Sequence, residues 1–358
     1  MNKFFKFFVL MFFVSLSAYA KMDYKFSGYT SLIGAYGEMN DRPGAFVDGR
    51  LRGQISYKAK DFQIGLQAEM ENYYYVKEGY LFVQFPFIRF EAGRALNIAE
   101  KMHVQVPEAS FTRFNNYSYV YHLIDNDRVA YLTSTSLNTD DRSQKISVIS
   151  GQWKGFQVGA SYAPGSLSGY DKEYDYRDEE NNGEFEKSLA LGAKFSQDWG
   201  YYKLALSGGY LQTDKANNLK IDLDGTKNGF KRREEFSAAV NFLAGNWNFG
   251  AAGRLINEIE PHSLDGRIYE GYVVSGGLGY TFLKYGVSLN YQRSAMEGLA
   301  TDEEMDIVNI YQASFKYNPY KNLHFWISGG YLEMLDGGEI EENEVAGFFG
   351  IGGVTYLF

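Results

Sequence analysis

The sequence predicts an all-β fold, a transmembrane antiparallel β-barrel of about sixteen strands. Three observations point to it. Apolar and polar residues alternate with a period of two along nearly the whole chain. Tight turns and longer polar connections separate the alternating segments in turn. The composition is also unusual, with 30 Tyr, 28 Phe, 39 Gly and no Cys in 358 residues, yet the mean hydropathy is negative. A helical membrane bundle needs repeated apolar runs of roughly 20 residues, which a chain this polar does not supply. A soluble domain rarely carries so many aromatics and glycines together. The absence of Cys excludes disulfides, thiolate metal sites and Cys nucleophiles. A net charge of −9 argues against a nucleic-acid partner.

The first element is a leader. Lys3 and Lys6 form a positive start, Phe7 to Leu16 is apolar, and Ala18-Tyr19-Ala20 is a small-x-small cleavage site. This is the pattern of a secretory signal peptide over residues 1–20, and the apolar run is short for a membrane span. It leaves 21–358 as one barrel domain that has left the cytoplasm.

Alternation then runs to the end. Val47, Leu51, Ile55 and Tyr57 oppose Asp48, Arg50, Arg52, Gln54 and Ser56. Phe62, Ile64, Leu66, Ala68 and Met70 share one face, and Gln63, Gly65, Gln67 and Glu69 the other. Tyr285 to Tyr291 repeats the pattern, with Ser288 and Asn290 on the polar side. Strands are expected near 23–38, 46–59, 61–74, 79–85, 87–95, 128–153 (one or more), 155–163, 188–198, 201–213, 235–244, 247–257, 272–282, 285–295, 307–317, 323–334 and 346–358. Lys60-Asp61, Pro86, Lys154, Trp199-Gly200, Gly245-Asn246 and Leu283-Lys284 read as tight turns. Segments 164–187, 214–234, 258–271, 297–306 and 336–345 read as long loops.

Short turns at one end and long loops at the other are the plan of an outer-membrane barrel. A sheet in lipid must satisfy every backbone N–H and C=O, so it closes on itself. Apolar side chains then face lipid, polar ones face the lumen, and aromatics gather near strand ends. A secreted sandwich or propeller is the soluble alternative, but no blade repeat is visible. The chain ends with Val354, Tyr356 and the aromatic Phe358, an ending similar to the assembly signal of outer-membrane barrels.

Taken in order, these features resemble the Gram-negative general porin family, the trimeric sixteen-stranded type. The residues that carry the resemblance are Phe26 to Thr30, Asp48 to Arg52, Phe90 to Arg94, the long segment 96–127 and Phe358. The resemblance implies that 96–127 folds into the barrel as a constriction loop. It implies a basic wall of Arg50 and Arg52, with Arg89 low in the lumen and Arg94 at the rim or in a bulge. It also implies an acidic loop face of Glu100, Glu108, Asp125 and Asp127, among which Lys101, Arg113 and Arg128 mix the sign. An insertion is expected within 128–153. The implied function is passive diffusion of small hydrophilic solutes and ions through a water-filled pore, in a homotrimer set in outer-membrane lipid and lipopolysaccharide. A solute-selective channel and a structural or adhesin barrel with a closed lumen are the alternatives.

No cofactor, metal or enzymatic activity is expected. His103, His122, His262 and His324 lack a recognisable Ser partner motif. Residues 178–183 have the opening spacing of a calcium loop, but position twelve is Leu189. Asp222-Leu223-Asp224-Gly225 is equally weak. The loops are acidic, with eight acids against three bases in 164–187, which reads as plain solubility. The strand glycines read as barrel curvature.

Overall fold

The computed structural model describes residues 21–37, 44–71, 75–112, 114, 120, 123, 129, 131–140, 143–165, 185–215, 232–259, 268–297, 305–337 and 344–358. The expected leader, the calcium-like segment 178–183 and Asp222 to Gly225 lie outside these residues. So do Asp125, Asp127, Arg113, Arg128, His122 and His262.

Sixteen strands form a closed barrel. They are β1 (Lys21–Gly37), β2 (Gly44–Lys58), β3 (Gln63–Glu71), β4 (Tyr75–Gln84), β5 (Ile88–Arg94), β6 (Gln144–Ser150), β7 (Phe156–Ala163) and β8 (Phe185–Asp198). The circuit continues with β9 (Tyr202–Lys215), β10 (Arg232–Ala244), β11 (Trp247–Ile259), β12 (Ile268–Phe282), β13 (Tyr285–Glu297), β14 (Met305–Tyr320), β15 (Leu323–Leu335) and β16 (Val345–Leu357). Each pairs antiparallel with its neighbours in sequence, and β1 pairs with β16. At that seam Gly28 N donates to Phe358 O at 3.0 Å and Phe358 N to Gly28 O at 3.1 Å. A Cβ on Gly28 would lie 2.1 Å from Arg50 O of β2 and 2.8 Å from the Phe358 ring at the seam, so both neighbours of β1 require glycine here.

The expected turns occur where sequence placed them. Lys154 (φ 48°) and Gly155 (φ 91°) are both left-handed, as a type I′ hairpin turn demands. Aromatics crowd this end of the barrel: Trp153, Trp199, Tyr201, Trp247, Phe282 and Tyr320 are all exposed on the outside. Tyr202 stacks on Phe242, and Trp247 packs 4.7 Å from Tyr280. A second belt, with Tyr291 against Tyr311 and Tyr331 against Phe348, lies toward the other end. Between them Leu191, Leu206, Val240, Leu289 and Ile327 make an apolar outer band. That is the surface a strand barrel presents to lipid.

One expectation is corrected. Of the span 128–153, β6 (Gln144–Ser150) is the strand, and the described residues of 128–143 belong to no named strand. Val129 and Leu132 gave the segment a strand-like pattern. Both are buried because they pack inside the barrel, within a loop that runs from 95 to 143.

Candidate functional site

The lumen has two unlike halves, and the loop 95–143 separates them. It opens with a five-residue helix, α1 (Ile98–Met102), capped by Asn97. Asn97 Oδ1 accepts from Glu100 N at 2.8 Å, and its Nδ2 donates to Leu137 O and to Asp140 Oδ1, both at 2.6 Å. Ile98, Ala99 and Met102 pack against Leu137, Ala190 and Leu211.

From α1 the loop travels along the wall, and short polar side chains receive its backbone in sequence. Ser161 Oγ accepts from Ile98 N (3.1 Å), and Ser207 Oγ from Val104 N (2.9 Å). Asn241 Nδ2 donates to Gln105 O (3.1 Å), and Asn290 Nδ2 to Pro107 O (2.7 Å). Ser288 Oγ accepts from Ala109 N (2.9 Å). Each bond satisfies a backbone group that has no sheet partner. Glycines make the close approach possible. A Cβ on Gly159 would lie 2.6 Å from Ile98 Cγ1, and one on Gly250 would lie 2.5 Å from Pro107 Cδ. These glycines form the bed of the loop, a role that curvature alone does not describe.

The return limb is buried more deeply. Phe114, Val120, Leu123 and Val129 pack with Ile33, Ile310, Leu332, Met334, Phe349 and Ile351, all pointing into the barrel. This is a hydrophobic core inside a polar lumen. Two ionic anchors hold the limb. Arg254 donates from Nε to Glu235 Oε2 (2.8 Å), from Nη1 to Asn138 Oδ1 (2.9 Å) and from Nη2 to Thr139 Oγ1 (2.6 Å). Glu235 also lies 3.3 Å from Arg233. Lys145, fully buried, sits 3.4 Å from Asp140, which also accepts from Ser188 Oγ at 2.8 Å.

The facing half, β2 to β5, carries a ladder of long charged groups. Glu69 Oε1 lies 3.2 Å from Arg50 Nε, and Glu69 Oε2 accepts from Arg52 Nε at 2.8 Å and Nη2 at 2.5 Å. Glu71 lies 3.6 Å from Arg50 Nη2 and pairs with Lys77. A bulge in β4 lies beside Lys77, as bulges often re-aim a side chain. Lower down, Glu91 accepts from Arg89 Nε at 2.8 Å and pairs with Lys101 of α1. Arg89 lies over the Phe82 ring at 4.1 Å, and Lys101 over Tyr80 at 4.6 Å. Each of the three acids therefore bridges two bases.

The residues named from sequence fall as follows. Arg50, Arg52 and Arg89 lie on the lumen side. Arg94 stands in register with Gly79 and Gln144, in line with the outward Phe90 and Ala92. Glu100 lies in α1. Glu108 is turned into its own loop, where it accepts from Ser110 Oγ, from the backbone and hydroxyl of Thr112, and from Phe114 N. Burial raises its carboxyl above the ordinary range, against the pull of those bonds. Among the described residues, the loop side chain that pairs with the charged wall is a base, Lys101. Sequence reasoning missed Glu69, Glu71, Glu91, Glu235 and Arg254 as partners. The first two were within reach, because a tight turn at Lys60-Asp61 fixes the register and sets Glu69 opposite Arg52 and Glu71 opposite Arg50.

His103 is buried in the loop, 3.0 Å from Thr135 Oγ1. Burial, with Arg254 nearby, pulls its pKa down to about 4. His324 meets Asn318 at 2.6 Å and packs edge-on against Phe111.

The sequence pattern of the family described as Gram-negative porin matches residues 10–334. No curated protein matches the chain in sequence. Among solved structures, OmpF of Salmonella typhi in complex with daunomycin is similar at 15% identity and a TM-score of 0.63, covering 94% of this chain and 97% of that one. The anion-selective porin from Comamonas acidovorans is similar at 13% identity and a TM-score of 0.62, covering 94% and 100%. In-vitro folded OmpT of Vibrio cholerae is similar at 15% identity and a TM-score of 0.61, covering 94% and 98%. At these identities the likeness is one of fold.

Proposed function

The chain belongs to the Gram-negative porin family and is a bacterial outer-membrane channel, and from that premise we propose that small hydrophilic solutes and ions cross it between loop 95–143 and the β2–β5 wall. The observation that supports this path is the split lumen. Loop backbone and apolar packing occupy one side, while solvent-facing Arg50 and Arg52 line the other. Nothing is catalysed. Width and charge at the narrowing select what passes. Arg50, Arg52 and Arg89 form the basic part of that narrowing, Glu100 lies beside it on α1, and Glu108 braces the loop. Asp125 and Asp127 keep the loop-face role that the family pattern implies.

Residues 1–20 are removed on export, and 21–358 form the working barrel. The assembly is a homotrimer in outer-membrane lipid and lipopolysaccharide. The trimer form of Vibrio cholerae OmpT, similar at 14% identity and a TM-score of 0.61, supports the trimer.

The apolar core of Phe114, Val120 and Leu123 within the lumen favours a second reading, a barrel too filled to conduct. Single-channel recording of refolded protein in a planar bilayer separates the two. Stepwise conductance proportional to salt is expected, and a silent bilayer favours the closed barrel. Replacing Arg50 and Arg52 together by Gln should shift the ion preference toward cations. An unchanged preference would remove them from the narrowing.

A further inference from the structure

We infer that the acids bridging the arginines, Glu69 foremost, set the ion preference of this pore. The arginines do not act as a free basic wall. The inference rests on the channel reading above and deepens it. It names the residue that decides which sign of ion is favoured.

The geometry is specific. Glu69 spends both carboxylate oxygens on two guanidiniums, one each from Arg50 and Arg52. Its side chain is 1% exposed, against 30% for Arg50 and 43% for Arg52. The acid thus lies behind the arginines as seen from the lumen. Water and solutes meet the guanidiniums, while the charge that cancels them sits against the strand. A pair at about 3 Å projects the field of a dipole, which weakens faster with distance than that of a single charge. Screening removes much of the remainder beyond about 8–10 Å at physiological salt. A mobile ion on the path therefore meets a nearly neutral wall.

The same device is repeated. Glu71 ties Arg50 to Lys77, and Glu91 ties Arg89 to Lys101 of the loop. Glu78 stands opposite Glu69 in register. Two acids facing each other across a strand pair repel unless bases intervene. Arg52, opposite Glu69 on the other side, supplies that base. Bases and acids alternate on one wall, where the family resemblance implied their separation onto opposite walls. The share of the transverse field that this wall supplies is correspondingly small. The wild-type pore should discriminate weakly between small cations and anions, and removing a buried acid should expose a strong preference already present in the arginines.

The test is the reversal potential of single channels in asymmetric KCl. Glu69→Gln keeps the shape of the side chain and leaves the lumen-facing atoms in place. It should raise the chloride-to-potassium permeability ratio by up to about tenfold, the lower end of what a cleft lined by one sign of charge does to local ion concentration. Arg50→Gln/Arg52→Gln should move the ratio the other way. The triple variant with Glu69→Gln should return it about half-way, since one negative charge is removed against two positive ones. If the double variant shifts the ratio and Glu69→Gln leaves it unchanged, the arginines are a free wall and the inference is overturned. Should Glu69→Gln fail to insert, Glu91→Gln asks the same question of Arg89 and Lys101, and an unchanged ratio there overturns it equally. A wild-type protein that gives no conductance refutes the channel reading itself, whereas a conducting wild type with an insensitive acid refutes only this inference.

Discussion

The wall that carries the loop and the wall that faces it obey the same alternation but hold different side chains. The inward positions that receive the outgoing limb on β7 to β13 are Ser161, Ser207, Asn241, Ser288 and Asn290, with Gly159 and Gly250 among them. Inward positions on β2 to β5 are Arg50, Arg52, Glu69, Glu71, Arg89 and Glu91. Short side chains let a second layer of backbone come close and then bond it. On β2 to β5 the long arginines Arg50 and Arg52 face solvent, with the acids that pair with them buried behind. Short inward residues thus mark much of the wall that the loop covers, with Arg254, Glu235 and Lys145 as buried charged anchors among them.

The comparison can be broken most severely at Arg254. Arg254→Ala leaves Glu235 buried with fewer partners and frees the return limb. A loss of about 3–5 kcal/mol is expected for breaking such a buried pair, read as a lower thermal unfolding midpoint together with noisier single-channel currents. A smaller effect is expected where the loop lies on glycine. Gly250→Ala pushes a methyl into Pro107 and should cost about 1–3 kcal/mol, as overpacking does. Gly34→Ala meets no atom within 4 Å and should change stability by less than about 1 kcal/mol, on the stabilising side. Equal losses in the two variants, by thermal melts, would mean that the loop has no glycine bed.

His103 sharpens the comparison through pH. Its folded pKa, about 4, lies below the ordinary 6.5, so the undocked chain binds the proton more readily. Stability is then complete above pH 6.5 and falls as pH drops toward 4, by up to about 3 kcal/mol. His103→Gln should flatten the midpoint-against-pH curve between those values, and a curve that keeps its slope would place the titration elsewhere.

Much of this was legible in the sequence. The period of two located all but one of the strands to within a few residues, because in lipid one face of every strand must be apolar. The parity of Arg50 and Arg52 about Leu51 put them on the lumen side. What failed was local. Val129 and Leu132 looked like strand residues because the apolar core inside the lumen demands apolar side chains of a loop as well. Glu108 looked like an eyelet acid, yet the loop turn needed an acceptor for Thr112 and Phe114. The charge pairing of Glu69 depended on strand register, which a face-by-face reading does not supply.

The order of the loop's contacts carries a consequence for how the molecule is built. Ile98 bonds a residue 63 positions away, Val104 one 103 away, Gln105 one 136 away, Ala109 one 179 away and Thr112 one 200 away. The partners advance along the sheet from β7 to β14, with Pro107 and Ala109 sharing β13. Nearby contacts close at less entropic cost than distant ones. On these separations alone, closing the contacts from the helix outward costs the least loop entropy at each step. The apolar return limb packs on Ile33 of β1 and on Phe349 and Ile351 of β16, so this part of the interior is complete only when the ring closes.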